Sequence, residues 1–79
     1  MNKQHGLNTL ALFAVRYSLP RNTSADFATT SALKQWWPEL SGRMQKQIIS
    51  EINDEKDIHH DNPWLWNEFL NWVDEAEQL

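Results

Sequence analysis

Apolar residues fall in four blocks along this chain, separated by helix-breaking signals. The first runs from about Asn8 to Leu19. Leu, Ala and Arg dominate it, which favours helix over strand. On a helical wheel Leu10, Phe13, Ala14 and Tyr17 share one side, and Leu12, Val15 and Leu19 share the other. Only Asn8, Thr9, Arg16 and Ser18 interrupt the apolar surround. A helix apolar nearly all round belongs in the centre of a fold. A short strand covered on both faces is the alternative. Pro20 ends the block, because proline disfavours helix in the residue before it.

The second block spans about Ser24 to Trp37. Thr23 stands three residues before Asp26, in the manner of a capping box. Its apolar stripe is Ala25, Thr29, Ala32, Leu33, Trp36 and Trp37, and Pro38 stops it. Ser41 is placed to cap a third helix over about Gly42 to Lys56. There Met44, Ile48, Ile49 and Ile52 share a face, with Arg43, Gln45, Lys46, Gln47, Asp54 and Glu55 opposite. "DIHHDN" reads as a loop. Asp61 or Asn62 caps the fourth helix, with Pro63 at its first position. Leu65, Trp66, Phe69, Leu70, Trp72, Val73, Ala76 and Leu79 form a broad apolar face on that helix. Trp64 projects among Glu68, Asn71 and Glu75 instead. The pattern predicts an all-α fold: a single domain over 1–79, a compact bundle of about four short helices around a central N-terminal helix. Phe13, Leu33, Ile48, Ile52, Phe69 and Val73 are the predicted core.

Size sharpens this expectation. Domains below about 80 residues often need a disulfide, a metal or a partner chain. The 79 residues contain no cysteine, so disulfides and thiolate metal sites are excluded. Tight helix packing or homo-oligomerisation remains. Five Trp and three Phe suit packing, since each aromatic buries ~150–250 Å². No apolar run approaches the ~20 residues of a membrane span, and no signal-peptide pattern opens the chain. A cytoplasmic protein is expected.

Charge divides the chain. Residues 1–50 carry six bases against two acids, and residues 51–79 carry nine acids against Lys56 alone, which gives the net charge of −4. The acidic third is unsuited to phosphate contact, which needs Lys and Arg. It serves either as a solvated face or as a surface for a basic partner.

Candidate chemistry is sparse. Asp57, His59, His60 and Asp61 are ligand types for a divalent ion, but adjacent histidines rarely reach one metal, and a polar loop is the plainer reading. No metal or cofactor is expected. Two glycines provide no phosphate loop, and no nucleophile stands in a recognisable triad, so catalysis is not expected. Arg16, alone on the most apolar helix, calls if buried for a carboxylate partner from the acidic third or from Asp26; alternatively it sits on a narrow exposed strip with Thr9. With Arg21 it could also form a small basic site. Trp64 is either a lid over the preceding loop or an exposed anchor, the residue type enriched at interface hot spots. With Glu68, Asn71 and Glu75 it forms the expected partner-binding stripe.

Val15, Arg16, Tyr17, Leu19 and Arg21 form a V-R-Y-x-L-x-R segment, followed by Trp and then by the amphipathic "ELSGRMQKQIISEI". Over about residues 10 to 55 this resembles a recurring type of small phage-encoded accessory protein, mostly without assigned activity. Pro20 departs from the Gly found before the last Arg in that pattern. The resemblance implies a phage or mobile-element origin and, by analogy, binding that blocks a host protein such as nucleic-acid-handling defence machinery. The expected function is a non-enzymatic protein-binding inhibitor or modulator that meets a basic host surface through its acidic C-terminal third. A helix-turn-helix-like DNA-binding regulator using the third helix is the alternative, with Arg43, Gln45, Lys46 and Gln47 near that helix's start. A small metal-dependent enzyme comes third.

Overall fold

The computed structural model describes residues 3–21, 25–59 and 63–78. Four helices follow in the predicted order: α1 (Lys3–Ser18), α2 (Ala25–Trp36), α3 (Gly42–His59) and α4 (Trp64–Gln78). Short 3-10 helices, Leu19–Arg21 and Trp37–Glu39, follow α1 and α2. The expected all-α bundle is therefore the fold, and no strand occurs among the described residues. α1 and α4 each pack against both α2 and α3, so the helices form a ring around one core.

That ring corrects the expected role of the first helix. A helix in a four-membered ring meets two neighbours and keeps an outer side. α1 buries Ala11, Val15, Ser18 and Leu19, whereas Leu10 and Tyr17 are half exposed and Phe13 is 65% exposed. Phe13 is thus outside the core. The wheel offered two apolar sides, and the sequence alone did not say which one the neighbours cover. The other five predicted core residues, Leu33, Ile48, Ile52, Phe69 and Val73, are all buried in one cluster with Ala11, Val15, Leu19, Trp37, Leu40 and Trp66.

Three polar side chains are buried on α1 and α2. Ser18 Oγ donates to Asp26 Oδ1 at 2.6 Å, which lets both be buried. Thr30 places its hydroxyl 3.0 Å from the Asp26 carbonyl and 3.1 Å from that of Phe27 on its own helix. The buried line of α2 is therefore Asp26, Thr30 and Leu33, continued by Trp37. The predicted stripe members Ala25, Thr29, Ala32 and Trp36 flank it, half-buried. The hydrophobicity of Ala and Thr is too even to have fixed that rotation.

The α2–α3 connection is held by hydrogen bonds. Leu40 N–H donates to the Trp37 carbonyl at 3.2 Å, and the Gln45 side-chain amide reaches the same oxygen at 2.6 Å. Ser41 caps α3 as expected, accepting from Met44 N–H at 3.2 Å. Asn8 of α1 clasps this cap: its Oδ1 accepts from Ser41 N–H and its Nδ2 donates to Ser41 Oγ, both at 3.2 Å. The entry to α3 is thereby tied to α1.

The tryptophan-rich α4 divides its aromatics. Trp66 and Phe69 are fully buried, and Trp72 is half-buried. Phe69 meets Trp37 edge-on at 5.3 Å and stacks on Trp72 at 5.9 Å. Asp61 and Asn62, the expected caps, lie outside the described residues. Removing a large buried ring costs ~3–5 kcal/mol. Phe69→Ala should therefore abolish most of the cooperative thermal transition seen by circular dichroism. Phe13→Ala, on the outer side of α1, should shift stability by no more than about 1 kcal/mol.

Candidate partner-binding face

Pro63 precedes α4 and its carbonyl accepts from Asn67 N–H at 3.1 Å, so the first turn of the helix is set before Trp64 projects. Trp64 is 53% exposed. Residues 60–62 of the preceding loop, which a lid would cover, lie outside the described residues. Glu68, Asn71 and Glu75 follow at steps of four, three and four residues, and all three are exposed. Steps of three and four keep side chains on one helix side. The predicted stripe is therefore one continuous outward face. Asp74 and Glu77 add exposed carboxylates to the same helix, which carries no basic residue.

One feature of this face was not predicted. Lys34 of α2 lies with Nζ 5.9 Å from the Trp72 ring centroid. Lys34, Glu68, Asn71, Trp72 and Glu75 line a shallow cleft between α2 and α4, about 330 Å³ in volume. A cation over an aromatic ring is a modest attraction at an exposed site. Its effect here is to set one positive charge beside an otherwise acidic surface. Lys34 lies far from α4 in sequence, and the pattern of α2 only marks it as outward-facing. No spacing signal links it to Glu68 or Glu75.

Arg16 has the expected type of partner. Its Nε and Nη2 bind Glu51 Oε1 and Oε2 at 2.8 and 3.0 Å, a two-pronged pair between α1 and α3. Glu51 is the first residue of the acidic third. The arginine is exposed rather than buried, with 58% of its side-chain surface open against 25% for Glu51. Gln47 also donates to Glu51 at 3.2 Å. The adjoining cleft, about 310 Å³, is lined by Val15, Arg16, Leu19, Pro20, Glu51 and Glu55. Two carboxylates, Glu51 and Glu55, line this cleft together with the Arg16 guanidinium. The backbone of Arg21 lies in the 3-10 helix after α1, and its side chain lies outside the described residues.

Among the described residues no three His, Asp or Glu side chains gather as a metal site. Asp57 pairs with the neighbouring Lys56 at 3.2 Å. His60 and Asp61 lie outside the described residues. On the proposed DNA-reading helix, Arg43 and Lys46 are exposed in the first turns of α3, while the amides of Gln45 and Gln47 are engaged with Trp37 and Glu51. No helix among the described residues is long and apolar enough to cross a membrane.

Comparison of the chain with protein-family models, with curated proteins and with solved structures gave no match in any of the three.

The Arg16–Glu51 pair makes a pH-dependent prediction. Hydrogen bonds from Arg16 hold the Glu51 carboxyl below its ordinary value of 4.5, against an opposing push from partial burial. A depressed folded-state pKa contributes stability that is present above the unfolded value and is lost as pH falls through the folded one. Glu51→Gln should therefore lower the melting temperature at neutral pH. The gap to the native chain should close on acidification below about pH 4. Melting curves from neutral to strongly acidic pH check this. A gap that stays constant across the range would mean that the pair contributes no ionic stabilisation.

Proposed function

We propose that this protein is a small non-enzymatic inhibitor or modulator, of phage or mobile-element origin, that binds a basic surface on a host protein through the outer face of α4. One observation carries this proposal: Trp64, 53% exposed, heads a stripe of exposed Glu68, Asn71 and Glu75. A large aromatic left in water gains by burial against a partner, and Trp is enriched at the energetic centres of interfaces. Carboxylates around it speed and orient the encounter with Lys or Arg. Proteins that handle nucleic acid present such basic surfaces, because phosphate contact demands them. Host defence machinery of that kind fits the face chemically. The V-R-Y-x-L-x-R segment supports the origin.

The alternative function is DNA binding through the first turns of α3, which the exposed Arg43 and Lys46 favour. Two measurements separate the two. Affinity capture from a host lysate, with Trp64→Ala as the paired bait, should recover a protein that the variant loses. With the recovered protein purified, Trp64→Ala should weaken binding by ~2 kcal/mol or more while folding stays within about 1 kcal/mol. Glu68→Lys and Glu75→Lys should weaken it further. In fluorescence anisotropy the chain should ignore duplex DNA. Binding that falls steeply with salt and disappears in Arg43→Ala and Lys46→Ala would establish the DNA-binding alternative instead.

A further inference from the structure

α1 carries a second outward face, and it differs in kind from that of α4. Gly6, Leu10, Phe13 and Tyr17 are spaced four, three and four residues apart on the side of α1 away from the core. All four are exposed, Phe13 to 65% and Leu10 and Tyr17 to 50%. The Phe13 and Tyr17 rings stack on each other at 6.3 Å, which presents them as one surface. Alternating steps of three and four make the apolar seam by which two helices pack side by side. α1 meets α2 and α3 with its opposite side, where Ala11, Val15 and Ser18 are buried, while Leu10, Phe13 and Tyr17 stay half exposed or more.

We infer that this seam is a self-association surface, on which two copies of the chain pair antiparallel through α1. The spacing itself points to a second copy. A two-fold axis crossing the seam midway between Leu10 and Phe13 sets Leu10 against the partner's Phe13, and Gly6 against the partner's Tyr17. In the outer layers the smallest side chain meets the largest. Among the described residues a Cβ at Gly6 would meet nothing within 4 Å, which leaves room for a neighbour's ring. Such self-complementarity, where residue i meets j and j meets i, is what a two-fold interface requires. Charge permits it as well. α1 contains no Asp or Glu. The acidic α4 packs beside α2 and α3, so pairing through α1 does not press two acidic faces together.

Area sets the strength. Leu10, Phe13 and Tyr17 leave on the order of 300 Å² of side-chain surface uncovered in each chain, taking ~200 Å² for a whole aromatic side chain. Two copies then bury about 600 Å² through these residues. The adjoining exposed Thr9 and half-buried Ala14 add a little to this, and the total stays below the roughly 1,000 Å² of stable specific interfaces. The pairing is a weak, concentration-dependent one.

Sedimentation equilibrium of the full chain from about 1 µM to about 1 mM covers the expected range of affinity. The mass should rise from one chain to two. Phe13→Glu should remain a single chain throughout, with the helical circular dichroism and melting point of the native protein. Register is read separately. The chain has no cysteine, so an introduced thiol is the only one present. Under mild oxidation an equimolar mixture of Gly6→Cys and Tyr17→Cys chains should cross-link mainly to each other. A native chain that stays monomeric at every concentration overturns the inference. So does a dimer that survives Phe13→Glu, and so does a preference of Gly6→Cys chains for one another, which marks a parallel pair. None of these outcomes depends on Trp64 or on any host partner.

Discussion

Phe69 is the point at which this bundle closes. Its ring sits edge-on to Trp37 and stacks on Trp72, which joins α4 to the end of α2 and to the wall between them. With Trp66 it is the largest fully buried side chain of the core. A chain of 79 residues without disulfides has few alternatives. Its stability must come from a small number of large rings placed where several helices meet. Of the three tryptophans on α4, only Trp66 is wholly enclosed and serves that need in full.

α1 is held by different means. Its inner positions are mostly small: Ala11, Val15 and Ser18 allow the helix to lie close to its neighbours. Polar contacts then fix its place. Asn8 grips the cap of α3, Ser18 meets Asp26 of α2, and Arg16 meets Glu51 of α3. Buried hydrogen bonds contribute modestly when made and cost more when one partner is lost. They position a helix more sharply than they stabilise it. The consequence is geometric. Leu7 and Leu12 pack against the core from its margins, and Leu10, Phe13 and Tyr17 are left on the outside.

The number, order and type of the helices were legible in the sequence, because proline and serine punctuate the chain and α3 and α4 have clear amphipathic periods. Four of the six predicted core residues, Ile48, Ile52, Phe69 and Val73, follow from those periods, and Leu33 of α2 is buried with them. Phe13 is not, because α1 is apolar on two sides and only tertiary packing chooses between them. The rotation of α2 was also hidden. Asp26 and Thr30 are buried because other groups satisfy their oxygens, and such partners cannot be read from one helix at a time. The polar stripe Glu68, Asn71 and Glu75 was legible for the opposite reason: steps of three and four mark it without reference to any other helix, whereas Trp64 at its head read as either lid or anchor. Lys34 and Trp72 joined that site only through the docking of α2 on α4.

The two outer faces lie on helices that share neighbours but stand across the ring from each other, α1 between α2 and α3 on one side and α4 between the same two on the other. This arrangement gives the proposed pairing a consequence for the proposed binding. Two chains joined along α1 carry their Trp64 faces away from the seam, with both left open. A weak dimer of this form is a bivalent ligand. Once one α4 face has engaged a host assembly that repeats its basic surface, the second face binds at an effective concentration set by the rigid dimer rather than by the bulk. Binding then also favours the dimer, because both events draw on the same pair of chains. A modest seam and a modest stripe therefore reinforce each other, and neither needs the large interface that so small a protein could not supply.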